Sequence, residues 1–276
     1  MKASHSPLSH KESFDAILAL ISSGIGGDRF GKTLRRRKIP HLSYSQVAAV
    51  EFCEQRYYLD YIEAVHLDPV PNYFIKGKLM HELIASTYLK ITNGRKIYPS
   101  SYSKKISRVY EDQHATHLEN AVQLHLDNLW DGYKILGVER PFVFSVDRQL
   151  PPLVGVIDLL LQKKDQIIIV DHKTGGDFYP PDELQVSIYH HVIKQKFPKK
   201  KIRIYYDQYR WVNNLDRIRK HALQRTEIVL GKNHWKTSLE RIREGYKTIK
   251  KIGKEDRGNH EGECFRCPFS RICFST

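Results

Sequence analysis

From Ser43 onward the chain alternates between two kinds of apolar pattern. Val47, Val50, Cys53, Tyr57 and Tyr61 recur at three- and four-residue intervals, one face of a helix that Ser43 or Ser45 can cap. A second helix is predicted over residues 76–91 and a long helical stretch over 106–136. The character then changes: residues 141–146, 153–161 and 166–170 are β-branched, strongly apolar runs separated by turn-like segments, and they predict strands. Helical period returns over 183–194, and 202–211 reads as a further strand. Trp235, Leu239, Ile242 and Ile249 form the stripe of a last helix. Helices, three strands, helix, strand and helix in that order predict an α/β (α+β) class built around a small mixed sheet flanked by helices. Residues 1–40, rich in Ser, Gly and Lys, read as a flexible N-terminal extension with one short helix at most, and 41–276 as a single domain.

Charge narrows the partners. Lys and Arg outnumber Asp and Glu by 45 to 31, a formal +14, which favours a polyanion such as nucleic acid. A membrane is not expected, because no apolar run approaches the length that spans a bilayer. Residues 14–25 include Asp15 and lack the basic lead-in of a secretory signal. A cytoplasmic location follows as an expectation, with structural disulfides uncommon there.

The richest chemistry lies between Gly155 and Lys173. Two apolar runs flank the polar tip Lys163-Lys164-Asp165. With Lys164-Asp165 as a two-residue turn, paired positions sum to 329, and Asp158 falls opposite Asp171 with Cβ atoms ~5 Å apart. Two facing carboxylates in an apolar hairpin repel each other, and burying them unpaired costs several kcal/mol. A bridging divalent cation removes the conflict, and oxygen ligands suit Mg²⁺ or Mn²⁺. Lys173, two residues past Asp171, shares its face of the strand and can orient or deprotonate an attacking water or stabilise a phosphate in transition. The structural alternative is an Asp158 salt-bridged to Lys173 or an arginine.

Gly155-x-x-Asp158 followed by Asp171-x-Lys173 resembles the PD-(D/E)XK nucleases, in particular their RecB-like branch. Gln185-Val-Ser-Ile-Tyr189 is similar to that branch's Q-x-x-x-Y helix, and Gly77-Lys-Leu-Met-His81 to its G-x-x-x-H. The resemblance implies a restriction-endonuclease-like core over roughly residues 43–276. It also implies a metal site of His81, Asp158, Asp171 and the backbone carbonyl of His172, with Lys173, Gln185 and Tyr189 completing the catalytic set. Two departures stand out: Ile157 replaces the family's proline, and His172 fills a position where an apolar or aromatic residue is usual.

Four cysteines remain, Cys53 and the C-x2-C-x5-C run Cys264, Cys267 and Cys273. Such spacing favours metal ligation over disulfides, and by itself admits either Zn²⁺ or an iron–sulfur cluster. One distant N-terminal cysteine with three C-terminal ones resembles the iron–sulfur nucleases, a group that includes the AddB nuclease domain, CRISPR-associated exonucleases and exonuclease V. Here Glu54 follows Cys53 where a proline is usual. That resemblance implies a [4Fe–4S] cluster stapling a helical part of the domain across a loop of about two hundred residues.

The function expected is a metal-dependent DNA nuclease, an exonuclease on single-stranded DNA serving repair, recombination or CRISPR adaptation with a possible helicase or adaptation partner. No Walker-type G-x-x-x-x-G-K-[ST] occurs, so the chain carries no helicase motor of its own. Tyr57, Tyr58 and Tyr61 beside Arg56 are candidate base-stacking groups, with a core role as the stronger reading. The rivals are a non-catalytic nucleic-acid-binding protein with a structural metal cluster, and an RNA-processing nuclease.

Overall fold

The structure is a computed structural model and describes residues 8–110, 113–211, 220–253 and 264–273. Its helices are α1 (His10–Ser22), α2 (Asp28–Arg36), α3 (Tyr44–Phe52), α4 (Glu54–Tyr57), α5 (Asn72–Thr92), α6 (Pro99–Ile106), α7 (Gln113–Asp127), α8 (Glu183–Lys196), α9 (His234–Lys251) and α10 (Ser270–Cys273). The strands are β1 (Leu42–Ser43), β2 (Lys134–Phe144), β3 (Leu153–Lys163), β4 (Gln166–Gly175), β5 (Lys201–Arg210) and β6 (Ala222–Ile228). A small mixed sheet with flanking helices results, as the apolar pattern predicts.

Two compact units divide the chain: Met1–Pro69 with Pro141–Val156 and Lys232–Thr276, and Val70–Arg140 with Ile157–Gly231. The second unit carries β3 from Ile157 onward with β4, β5 and β6, paired antiparallel, then parallel, then antiparallel. Leu159, Leu161, Ile168 and Val170 project from one face onto a core shared with Leu79, Leu83 and Ile84 of α5 and Leu118 and Val122 of α7. The β3–β4 turn is Lys164-Asp165, with Lys164 at φ 54°. Leu159 pairs with Val170 and Lys163 with Gln166, the register that the turn chemistry gives.

In the first unit, α1 and α2 pack Ile17, Leu20, Phe30 and Leu34 against Val154. A capping box of Ser9 and Glu12 starts α1. Two helices thus stand where the sequence allowed at most one short one. Only Phe30 and Leu34 anchor α2 among its basic residues, too sparse a stripe to read. Tyr57 and Tyr58 are buried in a core with Ala49, Val50 and Phe269, which corrects the base-stacking alternative for them. Of the long helix expected over 106–136 only α7 forms: Ile106 is the last residue of α6, which Pro99 opens at a position that needs no N–H donor, and Lys134 already begins β2; residues 111 and 112 lie outside the described residues. Strand β2 begins earlier than its apolar run, and β6 is a half-exposed polar edge that alternation does not reveal. Among the described residues no helix is long and apolar enough to cross a membrane.

Candidate functional site

Every residue of the expected catalytic set lies in the second unit. His81 projects from α5, Asp158 from β3, Asp171, His172 and Lys173 from β4, and Gln185 and Tyr189 from α8. The glycine of G-x-x-x-H has a spatial reason: a Cβ on Gly77 would sit 3.3 Å from Thr174 Oγ1, so α5 runs close against the end of β4.

Asp158 is engaged from two sides. The backbone N–H of His172 donates to its Oδ2 at 2.8 Å, and His81 Nδ1 lies 3.6 Å from the same oxygen. The third member of this cluster is Glu139 of β2, which the sequence reading did not single out. One ligand atom each from His81, Glu139 and Asp158 lies within 4.8 Å of the others, the one such group among the described residues. Glu139 has φ 46°, the left-handed region, in which a non-glycine backbone costs about 1–3 kcal/mol. Strain of this kind in mid-strand re-aims a side chain as a bulge does. The only sequence signal was a lone carboxylate in an apolar run one strand before Asp158.

Asp171 stands apart from that group. One step beyond the observed Leu159–Val170 pair it falls opposite Asp158, but its Oδ2 pairs with Lys173 Nζ at 2.7 Å. Burial, opposed by Lys173 and reinforced by Asp158, pushes its carboxyl up to about 6. Burial works to lower the Lys173 ammonium, but Asp171 and Asp158 outweigh it and the net direction is up. Lys173 is therefore a cation at neutral pH, a donor rather than a proton acceptor. It donates to Gln185 Oε1 at 2.8 Å, and Gln185 Nε2 donates to Tyr189 Oη at 3.0 Å. The Q-x-x-x-Y helix thus fixes the lysine through its glutamine. Burial holds the Tyr189 phenol well above its ordinary value, so it stays neutral.

His172 points to the opposite face. Its buried ring lies 6.4, 6.1 and 6.0 Å from those of Tyr88, His125 and Tyr209. Burial depresses its imidazole to about 4 and keeps that of His125 well below the ordinary value. The neighbouring charge is neutralised locally: Asp207, across the strand from His172, accepts from Arg225 Nε and Nη2 and from Trp130 Nε1.

The two carboxylates match the oxygen-ligand preference of Mg²⁺ or Mn²⁺, and the imidazole adds a nitrogen donor of borderline softness. The cysteines match a metal less closely. Cys53, Cys264, Cys267 and Cys273 form no disulfide and line one pocket with Phe52, Arg56 and Ser270. No three of their sulfurs lie mutually within 4.8 Å. Tetrahedral zinc would hold its sulfurs ~3.8 Å apart, given Zn–S bonds of about 2.3 Å. Burial raises the thiol pKa of Cys267 and Cys273. The four sulfurs share a pocket, but the closed set of thiolates around one ion that the spacing allows is not formed.

The sequence matches the PD-(D/E)XK nuclease superfamily over residues 41–274, and the chain belongs to that superfamily. Members of it use divalent metals, in keeping with the acidic cluster. No curated protein matches the chain. Among solved structures, one described as "Putative exonuclease" from Eubacterium rectale superposes with a TM-score of 0.52 at 10% identity, covering 86% of this chain and 90% of its own. A second, SSO0001, covers 96% of this chain and 95% of its own at 15% identity, with a TM-score of 0.35. The first likeness is one of fold.

Proposed function

We propose that this chain is a divalent-metal-dependent deoxyribonuclease that hydrolyses phosphodiester bonds, acting as an exonuclease on single-stranded DNA in repair, recombination or CRISPR adaptation. The observation that carries the reading is the convergence of His81, Glu139 and Asp158 beside the Asp171–Lys173–Gln185 chain. His81, Glu139 and Asp158 would hold the ion, with Asp171 and the His172 carbonyl alongside. Bound there, a divalent ion supplies Lewis acidity toward a phosphoryl oxygen and lowers the pKa of water. Lys173, charged and fixed by Gln185, places an N–H donor where negative charge develops on the phosphorus-bound oxygens. Tyr189 holds the glutamine and contributes no proton. Asp171 balances the lysine charge and, when ionised, accepts a hydrogen bond from water. The name of the Eubacterium rectale neighbour agrees with an exonuclease.

The test is incubation of purified protein with end-labelled single- and double-stranded DNA in Mg²⁺, Mn²⁺ or chelator. Mononucleotides released from single strands only with metal support the reading, and no cleavage under any metal refutes it. An iron–sulfur cluster in the cysteine pocket belongs to the same proposal, supported by the C-x2-C-x5-C spacing and the shared pocket.

A further inference from the structure

Helix α5 exposes more than its metal-facing histidine. Tyr73 and Phe74 open the helix with 53% and 42% of their surface in solvent, and their rings lie 4.4 Å apart at 37°. Large exposed apolar surface more often marks a binding site than a fold requirement.

Position on the helix gives the pair a direction. Phe74 and His81 are seven residues apart, two full turns, so they share a face about 10 Å apart along the axis. Lys78 lies between them, four residues past Phe74 and three before His81, and is exposed. One face of α5 therefore presents an aromatic pair, an ammonium and a candidate metal ligand in that order. Gly77 holds this half of the helix against Thr174, one residue beyond Lys173. The row thus leads from the aromatic pair directly to the site.

We propose that Tyr73 and Phe74 form a stacking platform that selects an unpaired DNA strand, with Lys78 contacting its phosphate between the platform and the metal site. The inference rests on the nuclease reading and names the residues that distinguish its substrate. Bases in a duplex are already stacked and paired and cannot lie on an exposed ring, whereas unpaired bases can, whatever their identity. The chain's formal +14 supplies the long-range attraction for any polyanion. It cannot distinguish single from double strands, and the aromatic pair can.

The experiment uses the full chain in chelator, so that no strand is cut. Fluorescence anisotropy is measured with a labelled oligothymidylate, an abasic strand of the same length and charge, and a blunt duplex. The wild type is expected to prefer the oligothymidylate to the abasic strand by about tenfold or more, the range for base–aromatic stacking. The double variant Tyr73→Ala/Phe74→Ala should lose that preference with an unchanged melting temperature, and Tyr73→Trp should keep it. A wild type that binds the abasic strand equally well, or a double variant that still prefers bases, overturns the platform. Wild-type hydrolysis of bis(4-nitrophenyl) phosphate in Mn²⁺, an ester with no base to stack, tests the nuclease reading separately. Its failure would count against the chemistry, while the anisotropy contrast decides the platform.

Discussion

Acidification should weaken this protein through histidines that the fold keeps neutral, and His172 gives the effect a size. In the folded chain its imidazole is held down at about 4, chiefly by burial, against about 6.5 when unfolded. Below pH 6.5 the unfolded state therefore takes up a proton that the folded state refuses. Stability present above the unfolded value is lost as the pH falls towards the folded one. The gap of about two and a half units corresponds to about 3 kcal/mol. His125, also depressed by burial, acts in the same direction. Asp171 opposes them: its carboxyl, raised to about 6, favours folding as it protonates. The variant His172→Phe removes one titration while keeping an aromatic ring among Tyr88, His125 and Tyr209. Urea unfolding followed by tryptophan fluorescence, in chelator between pH 7.5 and 4, measures both proteins. Relative to the variant, the wild type should lose about 3 kcal/mol across that range. A stability difference that does not change with pH would show that His172 is not held neutral in the fold.

The site and the scaffold allow further tests. Glu139→Gln should remove metal-dependent cleavage and weaken Mn²⁺ binding by calorimetry by at least the 10- to 100-fold typical of groups that merely support ligands, while DNA binding in chelator stays near wild type. Lys173→Met should lower kcat by about 10²-fold or more, as loss of a donor to developing charge does, with little change in the oligonucleotide Kd; an unchanged kcat would remove Lys173 from the chemistry. A Cβ on Gly155 would lie 2.5 Å from Phe142 Cζ, so Gly155→Ala should cost about 1–3 kcal/mol, and adding Phe142→Leu should recover part of the lost melting temperature. Protein purified without air should carry iron and sulfide in comparable amounts, and Cys264→Ala should lose both; one zinc per chain and no sulfide would replace the iron–sulfur assignment.

What could be read from the sequence follows from how local its causes are. The β3–β4 register needs only a two-residue turn and an unbroken alternation, so the Leu159–Val170 pairing was accessible to arithmetic. Helix α8 and its Gln185–Tyr189 face were likewise set by a four-residue spacing. Glu139 was not, because its role comes from a left-handed backbone in β2 and from approach to residues on α5 and β3. No motif encodes either. The pairing of Asp171 with Lys173 in place of a shared position with Asp158 also depends on rotamers that strand period leaves open. Helix α2 was hidden by its own charge, and β6 by its polar exposure. The cysteine spacing was plain, yet no three of the sulfurs lie mutually within 4.8 Å.

If Glu139 holds the proposed ion, its backbone places function and stability in opposition at one residue. At φ 46° glycine or asparagine would be more comfortable, and either should raise the melting temperature of the metal-free chain. A library sorted for heat resistance alone would therefore drift toward Gly or Asn at position 139 and yield sturdier proteins with a dismantled metal site. Under the nuclease reading, selection for catalysis has to hold the glutamate there against that drift. A catalogue of variants ranked by stability should single out position 139 as an apparent error in the design, and ranking the same variants by metal-dependent cleavage should reverse its place.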